Sequence, residues 1–345
     1  MKLTISKELV PSLAKVEKQE ERVYYWNKLL VCWGVHSKRS FPGCNPCSLS
    51  RADLAGLATQ EYTIALKSDG VRYALYLTLR KHDQSPIALM IDRSQNMYEV
   101  EVVAAEKYFV EGTILEGELV WKQPDEEKLI FMVWDAICVK GTKLTSLPFV
   151  ERLDAARQCT QFSDELNDLL QVSTKSEVTQ RISELDCIAM VHYSPTVTMR
   201  PKRFVARCHA EKLWAERGES GHRVDGIVLH RSDAAYICGT SKRGAVLKWK
   251  EHSTIDLFGD DVLRASDGPL DAEYHGRPIT VQLDSRLKAE SGDVMEYGIF
   301  IDDECIRLCP VRKRPDKTTA NALRVIRATI EDVFEGIEVH ELSTA

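Results

Sequence analysis

Between Tyr62 and Ile137 the chain passes through six short segments dense in β-branched and aromatic residues: Tyr62 to Leu66, Arg72 to Leu79, Ile87 to Ile91, Met97 to Val103, Thr113 to Trp121 and Leu129 to Ile137. Polar turns separate them, so each reads as a strand. Helical periodicity replaces this pattern from about 149 to 186, opening on Phe149-Val150-Glu151-Arg152-Leu153. Strands return at Ile188 to Tyr193, Gly226 to His230 and Val246 to Lys250. Beyond Asp256 a Gly- and Asp-rich stretch leads into further short strands, Ile279 to Leu283, Val294 to Ile301 and Cys305 to Val311, and a helix follows from about Thr319 to Phe334. Ahead of all this lie a charged helical stretch (Leu13 to Leu30), a Gly/Pro loop at Phe41 to Pro46 and a capped short helix at Ser48 to Leu54. The pattern predicts an α+β body followed by a small barrel-like domain, with the boundary near 251 to 260.

A balance of 44% hydrophobic and 28% charged residues over 345 positions excludes a disordered or fibrous chain. No apolar run approaches the roughly 20 residues of a membrane span. The N-terminal Met-Lys-Leu-Thr-Ile-Ser-Lys-Glu has no hydrophobic signal core, so a soluble intracellular protein with no membrane partner is expected. The ten cysteines are scattered, and the single CxxC, Cys44 to Cys47, has no second pair at zinc-finger spacing, so they read mainly as small buried side chains. A net charge of −6 argues against nucleic-acid binding through bulk charge. A local basic groove remains open, with Arg200-Pro201-Lys202-Arg203, Lys242-Arg243 and Arg312-Lys313-Arg314 as its pieces; each alone reads as a solvated face.

The densest chemistry lies in Ala65-Leu66-Lys67-Ser68-Asp69-Gly70-Val71-Arg72. A lysine ends one strand, an Asp-Gly turn follows, and an arginine opens the next. Lys67 is a candidate nucleophile, which demands an unprotonated amine and hence nearby cations and partial burial; a lysine beside an ordinary hairpin turn is the plain alternative. Glu116 and Glu118 project from one strand face, where both can serve one metal or ribose, or stand as exposed edge carboxylates. Asp225 stands at the entrance to the apolar strand Gly226 to Leu229. Lys248 and Lys250 share one strand face, opposite Leu247 and Trp249.

The succession KxDGxR, EGE, an aromatic with Asp, DGIV and KxK, running in order from about Phe41 to Asn321, resembles the covalent nucleotidyltransferase superfamily of DNA ligases, RNA ligases and messenger-RNA capping enzymes. Three segments are similar to the capping guanylyltransferases in particular: Phe41-Pro42-Gly43-Cys44-Asn45-Pro46-Cys47-Ser48-Leu49, Val246 to Lys250 followed by Thr254-Ile255-Asp256-Leu257, and Arg314-Pro315-Asp316-Lys317-Thr318-Thr319-Ala320-Asn321. Two positions depart from that pattern, Ala320 for a usual Pro and Glu116 for a commoner Asp.

The resemblance implies a nucleotidyltransferase domain over residues 1–253, built of antiparallel sheets with flanking helices, and an OB-fold domain over 254–345 that carries RPDKTTAN, its last helix packing back on the first domain. It implies that Lys67 attacks the α-phosphate of GTP, forms Lys–GMP and passes GMP to the 5′-diphosphate end of RNA as a GpppN cap. Arg72 and Glu118 are then ribose and phosphate-side contacts, Lys248 and Lys250 α-phosphate ligands, Phe131 the aromatic stacked on the base and Lys202 the contact to guanine. Glu118 and Asp225 support Mg²⁺ or Mn²⁺. Arg314, Asp316 and Lys317 reach the β- and γ-phosphates when the domains close. Expected partners are an RNA triphosphatase and a cap methyltransferase, since too little chain flanks the motifs for either, and the phosphorylated tail of RNA polymerase II. The expected location is the nucleus, or a cytoplasmic viral factory if the source is a large DNA virus. An ATP-dependent polynucleotide ligase and a catalytically dead relative serving as a binding module are the alternatives.

Overall fold

A computed structural model describes residues 14–36, 40–122, 128–160, 180–181, 184–191, 196–240, 244–259, 264–282, 290, 292–314 and 317–344. The chain is α+β, and among the described residues three large sheets carry it, beside one two-stranded pair. Most of the first comes from consecutive antiparallel strands: β1 (Val71–Leu79), β2 (Pro86–Asp92), β3 (Met97–Ala104), β4 (Thr113–Trp121) and β5 (Lys128–Val139). Among the described residues this sheet has nine strands, in the order β3-β2-β1-β4-β5 through its middle, and Thr196–Pro201 adds to β5 in parallel. Both faces are covered. Leu75, Leu77, Met90, Leu115 and Phe131 fill one core. Tyr76, Leu89, Ile114 and Ile137 fill the other, beneath helix α1 (Gln19–Trp33) through Tyr25, Leu29 and Trp33.

Among the described residues the second sheet has five strands, with Tyr62–Ser68 between Val205–Ala206 and β6 (Val224–Arg231), followed by β7 (Val246–Trp249) and Cys47–Ser48. Its apolar face packs on helix α2 (Arg51–Thr59), whose Ser50 N-cap and Asp53 form a reciprocal capping box, and on Leu213 and Trp214. The third sheet runs from Thr254–Phe258 to Ile306–Lys313 around Leu257, Met295, Ile299 and Leu308, with helix α3 (Leu323–Glu335) closing its core through Ile326 and Ile330.

The last helix, α4 (Val339–Thr344), joins the second sheet's core through Leu342. Arg51 at the start of α2 donates to the Glu335 carbonyl at 2.8 Å and pairs with Glu341 at 2.9 Å, and the Trp249 indole donates to the Ile337 carbonyl at 2.7 Å. The C-terminal segment thus buttresses β7, the strand that carries Lys248. No helix of the described residues is long and apolar enough to cross a membrane.

Candidate active site

The first and second sheets face each other across a cavity of about 830 Å³. Lys67 and Lys248 line it from one side, and Arg72, Glu116, Glu118 and Trp134 from the other. Lys202 lies between, and Arg314 and Lys317 reach it from the third sheet.

The Lys67 wall depends on an irregular ladder. Against β6, Ser68 pairs with Val224 and Lys67 with Gly226, so Asp225 is bulged out of the register. Its carboxylate takes Lys67 Nζ on one oxygen at 2.6 Å and Lys250 Nζ on the other at 2.7 Å. Burial alone would raise this carboxyl, but the two ammoniums outweigh it and hold Asp225 below the usual range. Lys248 is depressed, first by burial and then by Lys250 and Lys67. Gly226 permits the packing, because a Cβ there would stand 2.0 Å from the Trp249 carbonyl oxygen. Asp225 and Lys250 do not line the cavity; they reach it through Lys67.

On the opposite wall Arg72 lies across from Glu118 in register, yet its guanidinium turns to Glu116, with Nη2 at 2.5 Å and Nε at 3.1 Å from Oε1. The Tyr236 hydroxyl donates to the other Glu116 oxygen at 2.6 Å and accepts from the Cys44 amide at 2.8 Å. Arg72 also donates to the Cys44 carbonyl, and so ties the Phe41 to Cys47 loop to the strands. Below this cluster the buried Asp135 and Arg152 form a two-pronged pair at 2.9 and 3.0 Å; burial pushes the Asp135 carboxyl up to about 6, against the pull of Arg152.

Spacing alone suggested that Glu116 and Glu118 act together. Both line the cavity from one strand face, but their partners differ: Glu116 is fully buried beneath Arg72, while Glu118 faces Lys202, Oε2 to Nζ 3.9 Å. Burial raises the Glu118 carboxyl despite Lys202 and Lys67 nearby.

Phe131 requires a correction. Its side chain is 0% exposed and packs over Gly117 in the core of the first sheet, with no access to the cavity. Alternation along β5 puts Phe131 and Val133 on the core face, and Trp134 is the aromatic that lines the cavity. The Arg72 guanidinium and Lys202 ammonium each lie 5.6 Å from its ring. Alternation back from Asp135 points to Val133 and Phe131 instead; the bulge at Trp134, which brings both Trp134 and Asp135 to the cavity, leaves no mark in the spacing. Arg93 was also missed: it sits in the turn after β2, donates to the Asn45 side chain and lines the cavity.

Lys202 is 5% exposed and held down to about 8, chiefly because burial strips its ammonium of water, with Lys67 adding and Glu118 opposing. The folded chain therefore binds fewer protons than the unfolded one between about pH 8 and the ordinary 10.5, and stability from this group grows across that window. Lys202→Arg keeps its charge throughout. Relative to wild type it should lose a further ~2 kcal/mol between pH 7.5 and 9.5, read by denaturant melts at the two pH values; a gap independent of pH would contradict the depressed lysine.

From the third sheet, Arg314 Nη1 donates to Asp256 Oδ1 at 3.2 Å and Lys317 donates to the other oxygen. Asp256 is fixed in turn by Asn321, whose side-chain oxygen accepts its amide at 2.8 Å. Asp316 lies outside the described residues. The cavity thus combines a lysine in an ion-paired cluster, a flat aromatic wall and cations contributed by all three sheets. That is a site for an anionic, aromatic ligand such as a nucleotide, with an amine at its edge.

The comparisons give this class of site a family. The description "mRNA capping enzyme, catalytic domain" matches residues 5–252. The mRNA-capping enzyme subunit alpha of Neurospora crassa is 36% identical over 369 residues, covering 90% of this chain and 85% of that one. The protein of the same description from Schizosaccharomyces pombe is 24% identical over 340 residues, covering 89% and 80%. Among solved structures, a mycobacterial DNA ligase D complexed with ATP and MES gives a TM-score of 0.42 at 13% identity, covering 80% of this chain and 95% of that one, a likeness too weak to argue from. The chain belongs to the mRNA capping enzyme family, a family of nucleotidyltransferases.

Proposed function

We propose that the chain is an mRNA guanylyltransferase working through a covalent lysine–GMP intermediate. The observation that carries this is Lys67, its amine 2.6 Å from Asp225 at the edge of a cavity shared with Lys248, Lys202, Arg72, Arg314 and Lys317. In the first step Lys67 Nζ forms a bond to the α-phosphorus of GTP as the bond to pyrophosphate breaks. In the second, a β-phosphate oxygen of a 5′-diphosphate RNA attacks that phosphorus and Lys67 leaves, giving GpppN. Both are phosphoryl transfers, so positioning and charge neutralisation dominate. Asp225 orients the amine, Lys248 takes the α-phosphate from the cavity wall, Lys250 joins it by turning from Asp225, and Arg72 with Glu118 hold the ribose side. Arg314 and Lys317, with Asp316 by its place in the same motif, take the outer phosphates. We read the third sheet as the OB-fold domain that carries them.

Mg²⁺ or Mn²⁺ fits as a partner of the triphosphate. Glu118 offers the cavity an oxygen donor of the kind a hard cation prefers, and Asp225 would offer a second once Lys250 turns from it toward phosphate. No group of three or more His, Cys, Asp or Glu lies together among the described residues, so phosphates and water would supply the other ligands. When bound, the ion neutralises charge on the phosphate oxygens.

The base is placed against Trp134, with Lys202 donating to the guanine O6. Trp134→Ala should raise KM for GTP by about tenfold or more, in line with the loss of one stacked base. Phe131→Ala should instead cost about 3–5 kcal/mol of stability. The reverse pattern in nucleotide titrations and thermal melts would return the stacking role to Phe131. Incubating isolated labelled adduct with RNA tests the reading as a whole. Transfer of label to diphosphate-ended RNA supports it; an adduct formed from ATP and passed to a monophosphate end would make the chain a ligase.

A further inference from the structure

One corner of the cavity is held by a hydrogen-bond chain that the chemistry above does not use. Lys202 Nζ donates to Ser68 Oγ at 2.9 Å, and the same hydroxyl lies 2.9 Å from His222 Nε2. On the far side of the ring, His222 Nδ1 is 2.9 Å from the Ser220 carbonyl oxygen. A carbonyl only accepts, so Nδ1 carries the proton and Nε2 of the neutral ring is an acceptor. Lys202 only donates. The Ser68 hydroxyl must therefore give its own proton to His222 and turn a lone pair to Lys202. Burial enforces this order: Ser68 is 1% and Lys202 5% exposed, leaving little room for water to take over either bond. The histidine is pinned as well, since Ser220 Oγ donates to its carbonyl at 2.7 Å and the Asp69 amide donates to the neighbouring Arg223 carbonyl at 2.8 Å.

We propose that His222 is a positioning residue for base selection, acting through Ser68 to fix the direction of the Lys202 ammonium. With one of its three N–H groups committed to Ser68 and Glu118 drawing on it from 3.9 Å, the ammonium is held 5.6 Å from the Trp134 ring with donors left for the cavity. A donor so fixed rewards the O6 acceptor of guanine and meets the amino group of adenine unfavourably. Without the histidine the Ser68 proton is free to rotate toward Lys202, and the anchor becomes a repulsion. This inference rests on the proposed use of GTP and on Lys202 as the base contact.

The test measures KM and kcat for adduct formation with GTP and with ATP in wild type, His222→Ala, His222→Gln, Ser68→Ala and the Ser68→Ala/His222→Ala double variant. His222→Ala should raise KM for GTP roughly tenfold, about one buried hydrogen bond, with kcat little changed. Preference for GTP over ATP should fall by a similar factor. His222→Gln, whose side-chain oxygen can accept the Ser68 proton, should recover most of the loss, and the double variant should be no worse than Ser68→Ala. A His222→Ala enzyme with unchanged preference, or a penalty that persists in full on top of Ser68→Ala, overturns the positioning role. The glutamine variant and the cycle still read the effect if the alanine variant folds poorly. Failure of the proposed function itself would show separately, as a wild-type chain that forms no GMP adduct.

Discussion

Lys67→Ala should abolish the nucleotide adduct while leaving the fold intact. The side chain is 25% exposed and belongs to none of the apolar cores, so truncation removes little packing. Asp225, its partner, keeps Lys250 at 2.7 Å, so no buried charge is orphaned, and the expected stability change stays within about 1 kcal/mol. Activity should fall by at least ~10³-fold, the scale on which removing a nucleophile acts. Lys67→Arg sharpens the test. It retains the positive charge in the cavity but offers no nucleophilic amine at working pH, so it too should form no adduct. Residual adduct in the arginine variant would mean that another side chain carries the nucleotide.

Gly226→Ala should be strongly damaging to both stability and activity. The added Cβ would meet the Trp249 carbonyl oxygen at 2.0 Å and the Lys250 Cα at 3.1 Å, both main-chain atoms of the neighbouring segment. Backbone cannot rotate away as a side chain can, so β6 and β7 must separate, at a cost of about 3 kcal/mol or more. Separation also moves Lys248, Lys250 and the Asp225 bulge, so adduct formation should fall with stability. Gly56→Ala is the matching control. It sits in α2 with nothing within 4 Å of the added carbon, and should stabilise the chain by about 0.5–1 kcal/mol. Equal melting temperatures for the two variants would contradict the close approach at Gly226.

The order of elements was legible because each motif sits at a strand end flanked by its own turn. The pairing within the site was less so. Lys67 and Asp225 are 158 positions apart, and they meet only because Asp225 is bulged from the ladder, which residue spacing does not reveal. A second irregularity lies in β5, where Trp134 is left unpaired between the partners of Glu116 and Gly117. Phe131 was misplaced for the same reason: strict alternation back from Asp135 selects Val133 and Phe131, whereas the bulge brings Trp134 to the cavity beside Asp135. Helix ends shifted where tertiary bonds compete with helix formation. The first helix starts at Gln19 rather than Leu13, since Ala14–Lys15 pair as a strand with Tyr98 and Glu99. The helix expected from Thr319 starts at Leu323, because the Asn321 side chain is occupied with the Asp256 amide. Most of the helical stretch expected beyond Thr160 lies outside the described residues.

The central claim is a covalent bond between Lys67 and GMP. It is tested most directly by incubating the chain with GTP and a divalent ion, denaturing it, and locating the adduct by peptide mass spectrometry, with ATP in a parallel reaction. The account predicts a GMP adduct on the peptide containing Lys67 and none from ATP. An adduct on a different residue, or one formed from ATP alone, would contradict it.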